Sequence, residues 1–463
     1  MFFVFWKLRL LNTRYKYLVL ELFSTLFMNA ASLDRNEIFA IKMLDKLTFS
    51  FPCRKYRFIV VLTLLMFVAA YLYVWYIREF HITNHLHTMA LNEFDCLKLL
   101  SSDSKEMEKA IDYLEGKNKQ FAHFPSIQYD TMEKLAGRET PKPKGVQLPY
   151  GTEKDTDFPV ASYILFHENV VQLQRLLYII HRPQNIYCVH VDDKLSSKDF
   201  EAVYRIANGY KNVFLTSRRE IMVYGSVTEI RAELNCMEDL VNSGHRWKYL
   251  IHFTAKSFPF MTNSELVEAL KSHKSKNIVH SNWPEEHIQF KRRHILVVEQ
   301  ITKSGYIRHM QDLKSKPPFG IKPTPGFSTN VFTREFVDWV LVDTKAKEVL
   351  NWMSDIMYPA QYYWATLNNL YHNGILQTPG GDCDAPGLKQ LNFYLIGWNV
   401  PADRKLCRSG HYVRNTCVFS VQDLATLTQR RELVANKFDI SYDPIVYMCM
   451  EQWITNKTRG NHL

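Results

Sequence analysis

The sequence predicts an α/β domain whose mostly parallel sheet is covered by helices on both faces. Apolar runs typical of buried strands, VASYILF (160–166), IYCVHV (186–191) and KYLIHF (248–253), alternate with segments whose apolar residues recur at helical spacing. This alternation favours parallel strands joined by crossover helices. The 463-residue chain is 46% hydrophobic, which suffices to bury such a core and excludes wholesale disorder.

The other elements follow in chain order. After the first strand, VVQLQRLLYII (170–180) has helical spacing, and after the second comes a third strand, NVFLT (212–216). A helix runs through Arg231 to Val241 before the strand at 248–253. Another helix begins at Asn263, whose side chain we expect to cap it.

Residues 58–77, FIVVLTLLMFVAAYLYVWYI, contain no charged side chain over twenty positions. At about 1.5 Å per residue, a helix of this length crosses a hydrocarbon core of about 30 Å. Three basic residues (Arg54, Lys55, Arg57) precede the segment, whereas Arg78 followed by Glu79 comes after it, so the positive-inside rule places the N-terminus in the cytosol. Aromatic residues at its end favour an uncleaved signal anchor over a signal peptide.

The chain therefore divides into four predicted segments. They are a cytosolic tail (1–57), the transmembrane signal anchor (58–77), a polar lumenal stem (78–157) and a folded domain (158–463). Residues 1–42 contain an apolar run that is too short to span a bilayer, and translation from Met43 would leave a conventional short tail. Met1 and Met43 therefore stay alternative starts.

The net charge of +10 is concentrated near the N-terminus. Residues 1–57 contain ten basic and four acidic residues, which leaves only +4 for the remaining 406 residues. A nucleic-acid-binding protein needs its basic residues on the folded part, so this distribution argues against nucleic acid as a partner.

Acidic residues at strand ends are candidates for a binding site, because ligands of open α/β sheets lie outside the carboxyl ends of the strands. Asp192 follows the second strand, where it can accept hydrogen bonds from a ribose or a uracil, or simply begin a loop. No dinucleotide-binding glycine motif, P-loop, HExxH or CxxC motif occurs. Asp382-Cys383-Asp384 has the letters of a metal motif but lies in a Gly/Pro loop, so we assign no metal site.

Nine ordered blocks from about Phe158 to Met450 resemble the core 2 and I-branching β-1,6-N-acetylglucosaminyltransferases, relatives of the peptide O-xylosyltransferases. The blocks are FPVASYILFHENVVQLQRLL, RPQNIYCVHVDDK, VYGSVTEIRAELNCMEDL, WKYLIHF, FPFMTN, VFTREFV, YPAQYYWATL, HYVRNTCVFSVQDL and VANKFDISYDP. The resemblance implies a GT-A-like domain with a Rossmann-like sheet in a Golgi type II membrane enzyme. Such an enzyme transfers N-acetylglucosamine from UDP-N-acetylglucosamine to a 6-hydroxyl of a glycan, with inversion and without a metal ion or other cofactor.

The resemblance also implies a donor site. Arg414 and Lys437 match phosphate-binding positions, where they would replace a metal ion on the leaving diphosphate; the alternative is that both are ordinary surface residues. The positions that would hold the uridine and the sugar nucleotide are Leu165, His167, Asp192 and Tyr224. For Tyr224, packing in the core is the alternative interpretation.

Cysteine positions fit an oxidising lumen. The resemblance implies the pairs Cys96–Cys449, Cys188–Cys236 and Cys407–Cys417, while Tyr129 and Gly209 occupy both ends of a fourth family bridge. Cys383 is left over. Asn456-Lys457-Thr458 is a glycosylation sequon on the expected lumenal side.

The match fails at the expected general base and in the acceptor region. Gln361 occupies the position of the family's catalytic Glu, and a neutral amide cannot take a proton from the acceptor hydroxyl. Tyr394 matches an acceptor-site aromatic residue. Several other acceptor positions differ: Ala255-Lys256-Ser257, Glu286, Gln289 and Asn392. Candidate replacement bases are Asp355, Glu335 and Glu286.

Two hypotheses from different classes follow. The first is an active Golgi glycosyltransferase with a displaced base or a slow rate and a changed acceptor preference. The second is a catalytically silent homologue that binds a UDP-sugar or a glycan and acts as a partner or regulator of active enzymes; Gln361 motivates it. A xylosyltransferase-like specificity and an unrelated lumenal receptor are further alternatives.

Overall fold

The computed structural model describes residues 94–121, 153–279, 296–301, 306–369, 378–379 and 393–460. Among these residues, no helix combines the length and the apolar character needed to cross a membrane. The predicted anchor (58–77), the tail (1–57) and the two candidate start sites lie outside the described ranges, as do Cys383, Glu286, Gln289 and Asn392.

The strands are β1 (Val160–Phe166), β2 (Ile186–Val191), β3 (Val213–Leu215), β4 (Tyr249–Thr254), β5 (Ser257–Pro259), β6 (Leu296–Ile301), β7 (Tyr306–Leu313), β8 (Val331–Thr333), β9 (Tyr394–Leu395), β10 (Tyr412–Val413), β11 (Thr416–Cys417) and β12 (Val434–Asn436). The helices are α1 (Cys96–Leu100), α2 (Ser104–Phe121), α3 (Glu153–Thr156), α4 (Val170–Ile180), α5 (Ser197–Asn208), α6 (Thr228–Asn242), α7 (Asn263–Ser272), α8 (Arg334–Val342), α9 (Thr344–Met353), α10 (Ala360–Asn369), α11 (Leu424–Leu427) and α12 (Pro444–Thr458). Short 3-10 turns occupy Pro318–Gly320, Pro401–Leu406 and Val421–Asp423.

The central sheet has the strand order β3-β2-β1-β4-β8. Neighbouring strands from β3 to β4 are parallel, and β8 joins β4 in the antiparallel direction. The predicted α/β class with a mostly parallel sheet is therefore confirmed. The carboxyl ends of β1, β2 and β4 meet at one edge, because parallel neighbours end on the same side of a sheet.

Strand β1 contributes side chains to the core on both faces of the sheet. Ala161, Tyr163 and Leu165 belong to one apolar cluster, and Val160, Ile164 and Phe166 belong to the other. This alternation follows from the two-residue period of a strand. An uninterrupted apolar run is consequently the expected sequence for a strand with helices on both sides.

Side-chain caps begin the helices that cover this sheet. Asn169 caps α4 by accepting a hydrogen bond from the Gln172 amide, and Ser196 caps α5. Helix α7 begins at Asn263 as predicted, but Asn263 is its first helical residue and not its cap. Thr262 is the cap, because Thr262 and Glu265 form a reciprocal capping box.

A second, three-stranded sheet joins the C-terminal part of the chain to the segment that follows β4 of the central sheet. Strand β12 pairs with β5 in the antiparallel direction and with β9 in the parallel direction. Since β5 begins three residues after β4 ends, this pairing brings the residues that follow β12 to the carboxyl edge of the central sheet.

Three disulfides join the pairs that the family resemblance implies. Cys188–Cys236 connects β2 to α6, and Cys407–Cys417 closes the chain around β10. Cys96–Cys449 connects α1 to α12 across 353 residues. Part of the segment assigned to the stem thus packs on the folded domain, since Phe94, Leu99 and Ala110 belong to the same apolar cluster as α12.

Candidate functional site

Residues after β1, β2 and β4 converge at the carboxyl edge of the central sheet. The Asp192 amide donates to the Phe166 carbonyl at 2.9 Å, and the Ala255 amide donates to the Leu165 carbonyl at 3.2 Å. His167, Asp192 and Lys256 therefore begin neighbouring loops. Leu165 itself is buried within β1, and its side chain belongs to the apolar cluster on one face of the sheet.

Asp192 is buried and shapes the adjoining loops. Its Oδ1 accepts hydrogen bonds from the amides of Lys194 at 3.0 Å and Met222 at 3.3 Å, and Lys194 Nζ lies 3.5 Å from Oδ2. The loop-starting role considered for Asp192 is thus present in the structure. By holding Met222, Asp192 also positions the segment that carries Tyr224.

Tyr224 is on the surface of the site and not in the core. Its side chain is 46% exposed, and its ring makes an edge contact with the Tyr358 ring at a centroid distance of 5.3 Å. The guanidinium carbon of Arg414 lies 4.1 Å from the centroid of the Tyr224 ring. The structure therefore brings together Tyr224 and Arg414, which are separated by 190 positions in the sequence.

A tight hairpin turn presents Arg414. Strands β10 and β11 are joined by Arg414 and Asn415, both of which have positive φ, at 54° and 61°. Two-residue turns with positive φ at both positions match the twist of a hairpin, but a long side chain such as Arg adopts this conformation at a cost of about 1 kcal/mol or more. A strained residue at a candidate site is typical of functional positions.

Lys437 lies beside the same hairpin. It follows β12, and its Nζ donates to the Val413 carbonyl at 3.1 Å, next to Arg414 in the chain. Burial, together with the positive charges of Lys256 and Arg414, lowers the pKa of Lys437 to about 8. Neither Lys437 nor Arg414 forms an ion pair with a carboxylate in the described part of the chain.

Lys256 adds a third positive charge to the site. From the sequence, Lys256 was only one of the positions at which the acceptor region differs from the family. Its Nζ lies 2.5 Å from Glu168 Oε1 and 2.8 Å from Asp439 Oδ2. A hydrogen bond from His167, 3.2 Å away, and the Lys256 ion pair lower the pKa of Glu168 to about 2. The sequence could have indicated Lys256 as a site residue, because it follows β4 as Asp192 follows β2.

Gln361 is the second residue of α10 and connects to the site through backbone contacts. Its carbonyl accepts from the Gly326 amide at 2.6 Å, and its amide donates to the Tyr358 carbonyl at 3.0 Å. The Tyr358 amide in turn donates to the Gly225 carbonyl at 2.8 Å. Gln361 is thereby held next to the segment that carries Tyr224.

Tyr394 has a backbone partner in the central sheet. Its hydroxyl donates to the His252 carbonyl at 2.5 Å. His252 is buried in β4 beside the carboxylate of Glu233, which accepts a hydrogen bond from Trp364 Nε1 at 2.6 Å. Tyr394 therefore packs onto a buried polar cluster, and its ring is partly exposed.

The described candidates for a replacement base lie in other surroundings. Asp355 is ion-paired with Lys314. Glu335 is exposed in the first turn of α8 and acts electrostatically on Tyr249, which begins β4 and so lies at the amino edge of the sheet. The third candidate, Glu286, lies outside the described residues.

The sequence did not indicate the carboxylates Glu168, Asp439 and Glu229 as site residues. Glu229 is in the first turn of α6, where burial raises the pKa of its carboxyl, while Ser328 and the positive charge of Arg414 act in the opposite direction. Sequence alone gave no signal for it, because both partners are distant in the chain.

Comparisons with known proteins agree with the family suggested by the sequence blocks. The family model described as Core-2/I-Branching enzyme matches residues 160–428. A human N-acetyllactosaminide beta-1,6-N-acetylglucosaminyl-transferase is 33% identical over 301 residues, which are 65% of this chain and 73% of the relative. A human Beta-1,3-galactosyl-O-glycosyl-glycoprotein beta-1,6-N-acetylglucosaminyltransferase is 30% identical over 433 residues, which are 90% of this chain and 97% of the relative.

Proposed function

The chain belongs to the Core-2/I-branching enzyme family of glycosyltransferases, and from this premise we propose that it transfers N-acetylglucosamine from UDP-N-acetylglucosamine in β-1,6 linkage to a glycan acceptor. The observation that carries the proposal is the pair of basic residues Arg414 and Lys437, which lie near each other and form no ion pair with a carboxylate among the described residues. Such a pair suits the diphosphate of a nucleotide sugar.

The proposal assigns the leaving diphosphate to Arg414 and Lys437. As the anomeric carbon of the sugar separates from the diphosphate oxygen, negative charge develops on the diphosphate and must be stabilised. Two positive side chains in a partly desolvated site supply that stabilisation, with Lys256 close by. We therefore propose a reaction that requires no metal ion or other cofactor.

Leu165, His167, Asp192 and Tyr224 form the remainder of the proposed donor site. Leu165 and the loops after β1 and β2 would enclose the uridine, while the exposed ring of Tyr224 would cover the sugar nucleotide. The donor would then lie between the strand ends and the β10–β11 hairpin. Tyr394 and the segment that contains Gln361 would face the acceptor glycan.

We also propose a Golgi type II protein with its catalytic domain in the lumen. The charge-free segment at 58–77 and the basic residues before it support this topology. The three disulfides support an oxidising compartment for the domain. Asn456, the proposed glycosylation site, is partly exposed near the end of α12.

The test is a transfer assay with the full-length protein, purified with its disulfides intact. UDP-N-acetylglucosamine is supplied with core 1, core 3 and poly-lactosamine acceptors, and chelator is added in one arm. We expect UDP release and a 6-linked product at rates well above background, with and without chelator. Absence of product from every acceptor would contradict the proposed activity.

A second candidate function is favoured by Gln361, which cannot accept a proton. In that case the protein binds the UDP-sugar or a glycan and acts as a partner of active enzymes. UDP would then raise the melting temperature although no product forms. The transfer assay and the melting experiment together separate the two functions.

A further inference from the structure

Gln172 is a polar side chain inside the apolar face of α4. It is fully buried, and the other buried residues of the helix include Val170, Leu173, Leu176 and Leu177. A buried amide costs free energy unless its polar atoms find hydrogen-bond partners. The partners of Gln172 therefore show which part of the protein this residue holds.

Both polar atoms of the Gln172 side chain bond to the backbone that follows Lys437. Nε2 donates to the Phe438 carbonyl at 2.8 Å, and Oε1 accepts from the Ile440 amide at 3.1 Å. These two groups belong to the peptide bonds on either side of Asp439. A single side chain thereby fixes both peptide bonds.

Two further contacts join the start of α4 to the same segment. Asn169, the cap of α4, donates from Nδ2 to Ser441 Oγ at 3.0 Å. Lys256 Nζ lies between Glu168 Oε1 and Asp439 Oδ2, at 2.5 and 2.8 Å. Since α4 follows the carboxyl end of β1, these contacts tie the chain after β12 to the ligand-binding edge of the sheet.

Lys437 immediately precedes the anchored residue Phe438. The Phe438 amide donates to the Lys256 carbonyl at 2.9 Å and its carbonyl accepts from Gln172, so this residue is held on both sides. Lys437 Nζ donates to the Val413 carbonyl at 3.1 Å. A shift of the Phe438 backbone would therefore move Lys437 relative to the β10–β11 hairpin.

The charges around Lys437 make such an anchor necessary. Burial and the positive charges of Lys256 and Arg414 lower the pKa of Lys437, while the carboxylates of Asp439 and Glu168 act in the opposite direction. Like charges repel, so a free backbone would let the three cations separate in the unliganded protein. An uncharged side chain can hold this backbone without altering the balance of charge.

We propose that Gln172 is a positioning residue for the diphosphate of the nucleotide sugar: it fixes the backbone after Lys437 and so keeps Lys437 beside Arg414. This inference rests on the proposed function. Gln172 is fully buried and acts through Lys437, not by touching the donor.

The test compares Gln172→Met with Gln174→Met in the full-length protein. Methionine has nearly the length of glutamine but cannot replace its two hydrogen bonds. Gln174 is partly exposed on the same helix, about 200° away around the axis, so its variant controls for the substitution. We expect Gln172→Met to weaken UDP binding and to lower kcat, each by roughly tenfold, because a displaced cation stabilises the diphosphate less. The Gln174 variant should match the wild type.

The pH dependence of UDP binding separates positioning from a purely structural role. In the wild type, UDP affinity should fall as Lys437 loses its proton near pH 8. When Gln172→Met releases Lys437 from the other cations, this fall should move to higher pH by about half a pH unit or more. A Gln172→Met protein that melts earlier, yet keeps the wild-type UDP affinity and its pH dependence, would overturn the inference.

Gln172→Glu is a second variant that preserves the shape of the side chain. A protonated Glu offers the same donor and acceptor as Gln, whereas an ionised Glu cannot donate to the Phe438 carbonyl. Burial raises the pKa of such a carboxyl, so UDP affinity should equal that of the wild type at about pH 5.5 and be roughly tenfold weaker than it at about pH 7.5. Wild-type affinity at both pH values would overturn the inference.

The wild-type protein distinguishes this inference from the proposed function. If the wild type binds UDP and transfers N-acetylglucosamine while both Gln172 variants do so equally well, the inference fails and the proposed function stands. If the wild type neither binds UDP nor transfers N-acetylglucosamine, the proposed function fails and the inference fails with it.

Discussion

The guanidinium of Arg414 lies 4.1 Å from the centre of the Tyr224 ring, which places a strained hairpin residue over an exposed aromatic face. The contact positions the cation while leaving its hydrogen-bond donors available, since a ring face uses none of them. This arrangement prepares Arg414 for an anionic ligand and provides the first prediction.

Arg414→Ala should weaken UDP binding by roughly 10- to 150-fold, the equivalent of about 1.5–3 kcal/mol for hydrogen bonds to a charged group. Tyr224→Ala should weaken it by only about 2- to 5-fold, because it removes the support and not the cation, and Tyr224→Phe should retain wild-type affinity. Calorimetric titration with UDP measures these effects. Arg205→Ala, at an exposed ion pair on α5, is the matched control. Unchanged affinity in Arg414→Ala would refute the assignment.

Lys437 should make UDP binding sensitive to alkaline pH. Its pKa of about 8 lies below the ordinary value because of burial and the neighbouring cations, so the side chain loses its proton as the pH rises through 8. The neutral amine attracts a diphosphate less, and affinity should fall by up to tenfold per pH unit above pH 8. The dissociation constant of UDP, measured from pH 6.5 to 9.5, checks this.

The same shift predicts a stability change in the unliganded protein. A lysine whose pKa is lowered on folding destabilises the folded state at neutral pH, and the penalty disappears as the pH rises from about 8 towards the unfolded value. Lys437→Met should therefore raise the melting temperature at pH 7 while it weakens UDP binding. A variant that melts earlier at pH 7 would show that Lys437 is held by favourable contacts instead.

Lys256→Met should weaken UDP binding by about tenfold. The substitution removes one positive charge and frees the carboxylates of Glu168 and Asp439, which then repel the diphosphate. It should also raise the pKa of Lys437, because Lys256 no longer opposes its protonation, and so move the alkaline loss of affinity to higher pH. Titration of UDP at several pH values tests both effects, with Lys271→Met on α7 as the control. If the pH dependence of UDP affinity is the same in Lys256→Met as in the wild type, Lys256 does not act on the diphosphate site.

Two disulfides should differ in what their removal affects. On a chain-entropy basis, the 353-residue Cys96–Cys449 loop contributes about 6 kcal/mol and the short Cys407–Cys417 loop about 3 kcal/mol. Paired Ser substitutions of Cys96 and Cys449 should cause the larger loss of stability. Paired substitutions of Cys407 and Cys417 should cause the larger loss of UDP affinity, since they loosen the hairpin that carries Arg414. Denaturant unfolding and UDP titration distinguish the two outcomes.

Residues that follow apolar strand runs were accessible from the sequence, because strand direction and strand ends can be recognised locally. This explains why the positions of Asp192 and His167 at the sheet edge agree with the structure. Lys256 and Lys437 could not be recognised as neighbours from the sequence, since their proximity depends on the pairing of β12 with β5. The same holds for Glu229, because Ser328 and Arg414, which act on the pKa of its carboxyl, are distant from it in the chain. The cap of α7 was misplaced by one residue because Asn263 and Thr262 both suit that role.

Glu233 gives a prediction about the buried cluster beneath the site. Burial raises its pKa well above the ordinary range, and the charge of Glu229 acts in the same direction. When the pKa of a carboxyl rises on folding, the free energy of unfolding decreases as the pH increases from the pKa of the unfolded state, about 4.3, towards the pKa of the folded state. Glu233→Gln keeps an oxygen for the Trp364 hydrogen bond but has no proton to lose, so it should be more stable than the wild type at pH 8, and this difference should diminish near pH 4.5. Melting curves across this range measure it, with Glu268→Gln on α7 as the control. A variant that is less stable than the wild type at pH 8 would contradict this prediction.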